Sequence, residues 1–485
     1  MVTATLARTP PGRSTERSSI KSADTADWIS AVRKAAIDKM LANISPPDGE
    51  RGAVLASPSR QDPDYYYHWI RDAARTMGEI AVLAETGQRV SAACPDGSYH
   101  DLLVDYVEFS KINQTTPTIS HGPGEPKFYV TGAAFNGPWG RPQNDGPAQR
   151  ALILTRWANA LLAGGRRDYV TGVLYDGREP SFSVIKSDLD FVGHHWRDPC
   201  FDLWEEVDGT HFYTRMLQRA ALAEGAALAT ALDDPGAAKF YQAQAKQIEQ
   251  QMEAFWSADR GYFLATIDRV GGLDYKASDL DTSVLIGSFQ AYSRKFPFLA
   301  PDSDRILATA GALHDAFKDL YPINRTTQAF DGQVLYPGIG RYPEDRYTGG
   351  ASLGQGNPWF LCTLAMGAVL YKASALLKKR DAITVSAENI AVFDEAVRLV
   401  DSSLRLRTGE VLNASSKAFR AVISGLMALG DAYLRRVEYH SGDDGSLSEQ
   451  FDRDTGFMIS ARDLTWSYVA MIITANWRQE AVAAA

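Results

Sequence analysis

The chain has 485 residues, of which 45% are hydrophobic and 22% charged, the balance of an ordinary globular protein. A chain of this length can bury a large core, and its composition excludes wholesale disorder, collagen and coiled coil. The 50 basic and 59 acidic residues give a net charge of −9, which argues against nucleic acid as the main partner because such binding relies on clustered Lys and Arg.

The N-terminal segment, 1–24, is rich in Ser, Thr, Arg and Pro, a composition typical of a disordered tail. It lacks the apolar central region of a secretory signal. The longest apolar stretch, 360–371, is shorter than the ~20 residues that span a bilayer. We therefore expect no membrane partner, and a location in the cytoplasm or outside the cell as a mature form whose signal has been removed.

Apolar residues at helical spacing dominate the rest of the chain. They predict about a dozen helices, with the approximate bounds 25–43, 67–86, 99–113, 151–162, 181–195, 213–221, 236–255, 279–292, 303–318, 357–378, 387–406, 416–438 and 463–478. One small hairpin is predicted from 262–267 and 273–275, with Gly271 and Gly272 between them. Because no Pro- or Ser-rich linker interrupts it, 25–485 is predicted to form one helical domain.

Five connections are long and crowded with Gly, Pro, Trp, Arg and acidic residues: 44–66, 119–142, 196–209, 321–356 and 440–462. Loops longer than ~12–15 residues without secondary structure of their own are usually functional or disordered. Because these connections are too aromatic for disorder, we expect the helices to form a scaffold and the long loops to gather at one end as a site.

Two acidic segments are candidates for acid–base chemistry. The segment 202–206 (DLWEE) places three carboxylates around one tryptophan, and 448–452 (SEQFD) places two more near the C-terminal end. Each also has an ordinary structural explanation, since carboxylates favour the positive end of a helix dipole and acidic residues are common in solvated turns. Taken alone, neither segment decides between these interpretations.

A third segment, 64–72 (DYYYHWIRD), combines an aromatic plane, a guanidinium and a carboxylate. That combination binds sugars, because aromatic rings cover the apolar C–H face while Arg and Asp bond the hydroxyls. A helix start capped by an ion pair would explain the same pattern. The chemistry recurs in 139–145 (WGRPQND), 340–345 (GRYPED), 356–359 (GNPW) and 460–466 (SARDLTW), where loops meet predicted helices.

The sequence gives little support for metal, cofactor or disulfide chemistry. Cys94, Cys200 and Cys362 are too few for a disulfide framework, and no pair has metal-ligand spacing. His194 and His195 are adjacent rather than one helical turn apart, and the sequence has no Cys/His cluster. We expect no cofactor, while a structural calcium ion and the oligomeric state stay open.

Together these segments resemble the glucoamylases, in the fungal-type branch of glycoside hydrolase family fifteen. The likeness extends over 56–59 with 65–72, 124–128, 139–146, 202–207, 341–345 with 357–364, and 448–450 with 460–468. It implies an all-α (α/α)6 toroid, in which six inner helices are ringed by six outer ones and the active site lies in a funnel at one end. It also implies exo-hydrolysis at the non-reducing ends of α-1,4-glucans, with inversion and release of β-D-glucose.

The resemblance implies a role for each matching residue. Glu205 would be the general acid, which protonates the leaving oxygen, and Glu449 the general base, which activates a water. The substrate-binding residues would be Tyr65, Trp69, Arg71, Asp72, Trp139, Arg141, Trp204, Glu206, Arg341 and Trp359. Supporting residues would be Asp202, Asp345 and Gln450. The partner would be an α-glucan or malto-oligosaccharide.

Three features depart from the family pattern. Phe135 stands where many relatives have a Tyr near the acid, the spacer 347–356 is longer than the shortest family pattern, and no starch-binding domain follows Trp477. One alternative is another α-glucan-active toroid, either phosphorolytic or α-1,6-preferring, and a second is a non-catalytic sugar-binding protein. The Ser-Glu-Gln sequence at Glu449 argues against phosphorolysis, which needs no base, and the presence of Glu205 as well argues against a mere binding protein.

Overall fold

The computed structural model describes residues 25–86, 98–178, 183–350 and 353–483, so the predicted tail lies outside the described residues. Its helices are α1 (Thr25–Leu41), α2 (Ile70–Glu85), α3 (Tyr99–Thr115), α4 (Asp145–Ala163), α5 (Arg167–Tyr169), α6 (Val184–His195), α7 (Phe212–Ala231), α8 (Pro235–Gln251), α9 (Ser283–Gln290), α10 (Asp304–Phe317), α11 (Phe360–Leu377), α12 (Ile390–Val400), α13 (Lys417–His440) and α14 (Thr465–Ala483). Each of the predicted helical segments overlaps one of them.

Six of these helices form a closed ring. Along the ring, α2 contacts α4, α4 contacts α7, α7 contacts α9, α9 contacts α11, α11 contacts α14, and α14 returns to α2. The helices α1, α3, α6, α8, α10 and α13 alternate with them along the chain and pack outside the ring, and α12 packs against α10 and α13. The structure therefore confirms the all-α (α/α)6 toroid.

The position of each helix follows from its apolar pattern. The inner helix α11 is apolar on every side, and nearly all of its residues are buried, as expected of a helix surrounded by others. Within the described residues it is the one helix long and apolar enough to cross a membrane, and the fold buries 94% of it. The outer helix α12 instead buries one stripe, formed by Val392, Phe393, Ala396 and Val397.

The strands are short and lie in the long connections: β1 (His68–Trp69), β2 (Lys127–Phe128), β3 (Cys200–Phe201), β4 (Val207–His211), β5 (Trp256–Ser257), β6 (Tyr262–Phe263), β7 (Thr266–Gly272), β8 (Ala382–Thr384), β9 (Val411–Asn413), β10 (Gln450–Phe451) and β11 (Met458–Ile459). They pair as β1–β2, β3–β4–β7, β5–β6, β8–β9 and β10–β11. Several of these pairs brace loops at one end of the ring.

The hairpin predicted around Gly271 and Gly272 is wrong. Both glycines lie inside β7, which pairs antiparallel with β4 and sets Gly272 opposite Val207. Gly272 has a φ of +86°, and a Cβ there would lie 2.2 Å from the carbonyl oxygen of Glu206. The glycine is therefore required by the close approach of two strands rather than by a turn, and this contact fixes the backbone that carries Glu206.

The described cysteines give a testable prediction about the redox state. Cys200 and Cys362 are buried and free, and burial raises the pKa of Cys200 to about 12. We expect both to resist a thiol reagent in the folded protein, because the thiolate is the reactive form. Titration after denaturation should find three thiols, including Cys94, which lies outside the described residues. A count of one would contradict this by showing a disulfide.

Candidate active site

All six inner helices alternate in the chain with outer helices, so they run in the same direction and begin at the same end of the ring. A cavity of about 560 Å³ lies at that end. Eleven of the predicted site residues line it: Tyr65, Trp69, Arg71, Asp72, Trp139, Trp204, Glu205, Glu206, Arg341, Trp359 and Glu449. The positive ends of the inner helix dipoles therefore face the same space as the carboxylates.

Glu205 and Glu449 reach this cavity from opposite sides of the ring. Glu205 lies in the turn between β3 and β4, which leads into α7, and Glu449 directly precedes β10 in the connection to α14. In the ring order, α7 and α14 are three positions apart, the largest separation that six helices allow. The two carboxyl groups share no hydrogen-bond partner among the described residues.

Four donors surround the Glu205 carboxylate. Its Oε1 accepts from Trp69 Nε1 at 2.6 Å, from Gln143 Nε2 at 3.1 Å and from Arg71 Nη2 at 3.3 Å. Its Oε2 accepts from Trp139 Nε1 at 2.7 Å. These contacts hold the carboxylate at the cavity wall, between two indole rings.

The backbone at Glu205 is also unusual. Its φ is +69°, a conformation that costs a residue with a side chain of the order of 1 kcal/mol or more. Gly140, which lines the same cavity, leaves room for this turn, because a Cβ there would lie 2.7 Å from the Glu205 carbonyl oxygen. This strained turn carries Glu205 at the cavity wall.

Glu449 is 1% exposed at the cavity, and its carboxyl group accepts hydrogen bonds from neighbouring side chains. Its Oε2 accepts from the hydroxyl of Ser460 and from Gln450 Nε2 at 3.0 Å, and Asn357 Nδ2 orients Gln450 by donating to its Oε1 at 2.8 Å. Burial raises the pKa of Glu449 to about 7, while hydrogen bonds from Ser460, Tyr65 and Gln450 oppose that rise. These donors therefore favour the ionised form in an apolar setting.

Arg341 is held in one orientation by two carboxylates. Asp345 accepts from its Nε at 2.8 Å and from its Nη2 at 2.7 Å, which is a bidentate pair. Glu206 accepts from the same Nη2 at 2.7 Å, and the hydroxyl of Tyr342 donates to the other Glu206 oxygen at 2.7 Å. The buried guanidinium thus stays charged and presents its remaining face to the cavity.

Asp202 stabilises the turn that carries both Glu205 and Glu206. Its Oδ1 accepts from the backbone N–H of Glu206 at 2.7 Å and of Val207 at 3.1 Å. Burial works to raise its pKa, but Lys276, with Nζ 3.3 Å from Oδ2, and the two N–H groups hold the pKa below its usual value. Asp202 is therefore a buried anion that fixes the loop from behind.

Trp204 and Trp466 form the floor of the cavity. The Trp204 indole donates to Asp281 at 2.9 Å, and its ring stacks on Trp466 with centroids 6.0 Å apart. Trp359 meets Trp204 edge to face at 5.6 Å. Such a cluster offers the flat apolar faces that a sugar ring covers.

Arg71 and Asp72 open α2 and are both buried. Arg71 donates to Gln143 at 2.8 Å and to Asp145 at 3.2 Å, and its Nε lies 3.6 Å from Asp72. Burial raises the pKa of Asp72 to about 6, with Arg71 opposing the rise. A carboxylate kept this dry can form strong hydrogen bonds with ligand hydroxyl groups.

Replacing Asp72 with Asn is expected to lower kcat/KM for maltose by about ten- to a hundredfold, since a hydrogen bond to a charged group contributes about 1.5–3 kcal/mol. The measurement is steady-state kinetics together with the melting temperature. If Asp72 only supported the fold, the melting temperature would fall while kcat/KM of the surviving protein stayed unchanged.

Arg141 does not reach the cavity, so the predicted contact with substrate does not fit its position. Its Nε donates to Glu125 at 3.0 Å, and its two terminal nitrogens donate to the carbonyls of Gly137 and Phe135 at 2.9 and 3.1 Å. All of these bonds lie within the loop that carries Trp139. Arg141 therefore shapes the cavity wall from outside.

Lys127 is a cavity residue that the sequence analysis did not assign. Its Nζ lies 3.3 Å from the ring centroid of Trp139, and the rings of Phe135, Tyr67 and Trp69 surround it at 4.1, 4.3 and 4.4 Å. Burial lowers its pKa to about 8, while Glu205 acts in the other direction. Lys127 lies in 124–128, one of the segments that carry the family resemblance. That position could have identified it as a site residue from the sequence.

Other supporting residues were also missed. Gln143 and Ser460 lie inside 139–146 and 460–468, two of the segments that carry the family resemblance. Their position could therefore have identified them, although their residue types did not. Lys276 and Asp281, which lie 3.1 Å apart behind the catalytic turn, belong to no recognisable motif. Among the residues the structure describes, no group of three or more His, Cys, Asp or Glu is arranged to hold a metal ion.

The site thus has two carboxyl groups facing one cavity from opposite sides, with aromatic rings, Arg and Asp around them. In an α/α toroid, this arrangement defines a glycoside hydrolase that works by acid–base catalysis. A profile of the family Glycosyl hydrolases family 15 matches residues 33–476. The chain therefore belongs to that family.

Known relatives and solved structures agree. The chain is 37% identical to a glucoamylase of Blastobotrys adeninivorans over 90% of this chain and 69% of the relative, and 36% identical to glucoamylase 1 of Rhizopus oryzae over 98% and 75%. The structure of a glucoamylase from Saccharomycopsis fibuligera matches with a TM-score of 0.84 and 29% identity, over 98% of this chain and 99% of that one. The protein is a glucan 1,4-α-glucosidase, which removes glucose from the ends of α-1,4-linked glucans.

Proposed function

We propose that the chain hydrolyses α-1,4-glucosidic bonds with inversion, with Glu205 as the general acid and Glu449 as the general base. The observation that supports this most is that both residues line one cavity from the connections that lead into two opposed inner helices, α7 and α14. Inverting enzymes need a gap of ~6.5–9.5 Å between the two carboxyls, because a water molecule must enter between the base and the sugar. The product is then β-D-glucose.

In this mechanism Glu205 donates its proton to the glycosidic oxygen as the bond to the anomeric carbon breaks. The indoles of Trp69 and Trp139 keep its two oxygens at the cavity wall. Glu449 takes a proton from water, which attacks the anomeric carbon from the other face. Ser460 and Gln450 favour the ionised carboxylate that this step requires.

Arg71, Asp72 and Arg341 hold the terminal glucose in this proposal. All three are buried at the cavity, and Asp345 and Glu206 fix the Arg341 guanidinium before substrate arrives. Preorganised charged groups lose little freedom on binding, so they favour one pose of the non-reducing sugar. That pose places the first glycosidic bond between the two carboxyls, which explains release of single glucose units.

The test is proton NMR of the first sugar released from maltotriose. β-D-glucose should appear first, before mutarotation supplies the α anomer, and its signal should grow together with that of maltose. Initial release of α-D-glucose would exclude inversion and, with it, the water-activating role of Glu449. Release of maltose and glucose from internal bonds of longer oligomers would exclude the exo mode.

The pH dependence tests the base separately. A general base works only when ionised, so kcat/KM should fall as the pH drops through the pKa of Glu449 in the free enzyme. Replacing Ser460 with Ala removes a donor that lowers the pKa of Glu449, so this pKa should rise. The acidic limb of the kcat/KM profile should then move to higher pH. The matched control is Ser374→Ala, because that buried hydroxyl donates to the carbonyl of Ile423 in α13, away from the residues that line the cavity. Identical profiles for the wild type and Ser460→Ala would contradict the assignment.

A further inference from the structure

A second pocket of about 440 Å³ lies inside the ring, away from the catalytic cavity. Residues of α2, α4, α9 and α14 line it, among them Arg75, Glu79, Arg156, Gln290 and Trp477. These residues lie further along their helices than the catalytic residues, so the pocket belongs to the body of the ring and its opposite end. It has no role in the hydrolysis described above.

Arg75 is a buried cation in this pocket whose guanidinium nitrogens have no hydrogen-bond partner among the described residues. It is 4% exposed, and none of its three guanidinium nitrogens makes a hydrogen bond to the residues the structure describes. Burial lowers its pKa to about 10, with Tyr213, Asp72 and Glu79 acting in the other direction. At neutral pH the group carries its charge, and its nitrogens lack the hydrogen-bond acceptors that stabilise a buried guanidinium.

The neighbours of Arg75 stabilise its charge but leave its guanidinium nitrogens without a hydrogen-bond acceptor among the described residues. Its guanidinium carbon lies 4.8 Å from the ring centroid of Trp466 and 6.0 Å from that of Phe289, so both rings stabilise the charge by cation–π contact, but neither offers an oxygen that accepts a hydrogen bond. The hydroxyl of Tyr213 donates to Gln290 at 2.9 Å. Glu79, one turn later on α2, raises the pKa of Arg75 by its charge, but no nitrogen of Arg75 makes a hydrogen bond to it.

A second unsatisfied donor faces the same space. The Nε2 of Gln290 is buried and has no hydrogen-bond partner among the described residues, while its Oε1 accepts from Tyr213 and from Gln149. Gln290 lines the pocket together with Arg75. The guanidinium of Arg75 and the Nε2 of Gln290 are therefore two buried donor groups without an acceptor at one pocket. The oxygens of a small anion could accept hydrogen bonds from both.

We propose that this pocket binds a small oxyanion, a phosphate or a carboxylate, through the guanidinium of Arg75 and the side-chain amide of Gln290. The planar fork of Arg matches two oxygens of such an ion. The neighbouring Arg156 is already engaged, since it pairs with Glu224 at 2.7 Å and donates to the carbonyl of Tyr292 at 3.0 Å. Arg75 is therefore the guanidinium that is available to pair with the bound anion.

Glu79 sets how tightly the anion binds. Its carboxylate lines the same pocket and repels an anion when it is ionised. Burial raises the pKa of Glu79 to about 7, with Arg75 and Arg33 opposing the rise, so the group is part protonated near neutrality. Removing its charge should strengthen anion binding rather than weaken it.

The experiment is calorimetric titration of the folded enzyme with inorganic phosphate at constant ionic strength, with acetate in a parallel arm. We expect saturable binding at one site, a loss of at least tenfold in Arg75→Met, and a gain of severalfold in Glu79→Gln. The control Arg60→Met, at an exposed arginine paired with Asp48, should bind as the wild type does. Phosphate binding without acetate binding would assign the site to phosphate, and the reverse to carboxylates.

A crystal of the wild type soaked in selenate gives an independent readout if Arg75→Met does not fold. Anomalous density beside Arg75 and Gln290 supports the site. No saturable binding, equal binding in Arg75→Met, or density only elsewhere means an adventitious ion only and overturns the proposal. Because the readout is binding rather than turnover, it is independent of the roles given to Glu205 and Glu449.

Discussion

Replacing Glu205 with Gln is expected to lower kcat for maltose by about 10²- to 10⁴-fold, the usual contribution of a positioned proton donor. Maltose binding should stay within a few-fold, because a proton donor acts in the transition state. All four contacts of Glu205 are donors, so the new amide N–H₂ must face Trp139 or Trp69. The loss of one such bond should cost about 1 kcal/mol of stability, visible as a small drop in melting temperature.

A substrate with a better leaving group makes this prediction sharper. Fluoride is a good leaving group, so it departs from α-D-glucosyl fluoride without protonation by a general acid. The Glu205→Gln variant should therefore hydrolyse this substrate at a rate much closer to that of the wild type than it does maltose. A variant that kept more than about a tenth of wild-type kcat on maltose would contradict the general-acid role.

The helices of the toroid were predictable because each has a long apolar pattern, and every predicted segment proved helical. The closed ring was not predictable from periodicity, since the apolar face of a helix such as α11 does not identify its neighbours. The closed ring was predicted only because the sequence resembles a family that has this fold. Two consecutive glycines, Gly271 and Gly272, were misinterpreted because a turn and a close approach between strands both require glycine.

In the candidate site, too, some residues could be predicted from the sequence and others depend on three-dimensional contacts. Trp69, Asp72 and Glu205, which the resemblance assigned to the site because they stand in its motifs, do line the cavity. Lys276 and Asp281 were not predicted, because a buried charge that stabilises a loop from behind is recognisable only from its three-dimensional partners. The positive φ of Glu205 is likewise a product of its surroundings, since nothing in the residue type predicts it.

Replacing Glu449 with Gln should be equally severe for maltose, with kcat lower by about 10²- to 10⁴-fold. Here, however, α-D-glucosyl fluoride should not restore turnover, because water must still be deprotonated whichever group leaves. The opposite response of the two variants to one substrate therefore separates acid from base, which their similar losses on maltose cannot do.

The fold should tolerate the Glu449→Gln change, since Ser460 can donate to an amide oxygen and burial penalises the carboxylate more than the neutral amide. We expect an unchanged or slightly higher melting temperature than that of the wild type, measured beside the control Ser374→Ala. Recovery of fluoride hydrolysis in Glu449→Gln to the level of Glu205→Gln would contradict the base assignment. The water would then be activated elsewhere, and Asp72, which lines the same cavity, would be the next residue to replace.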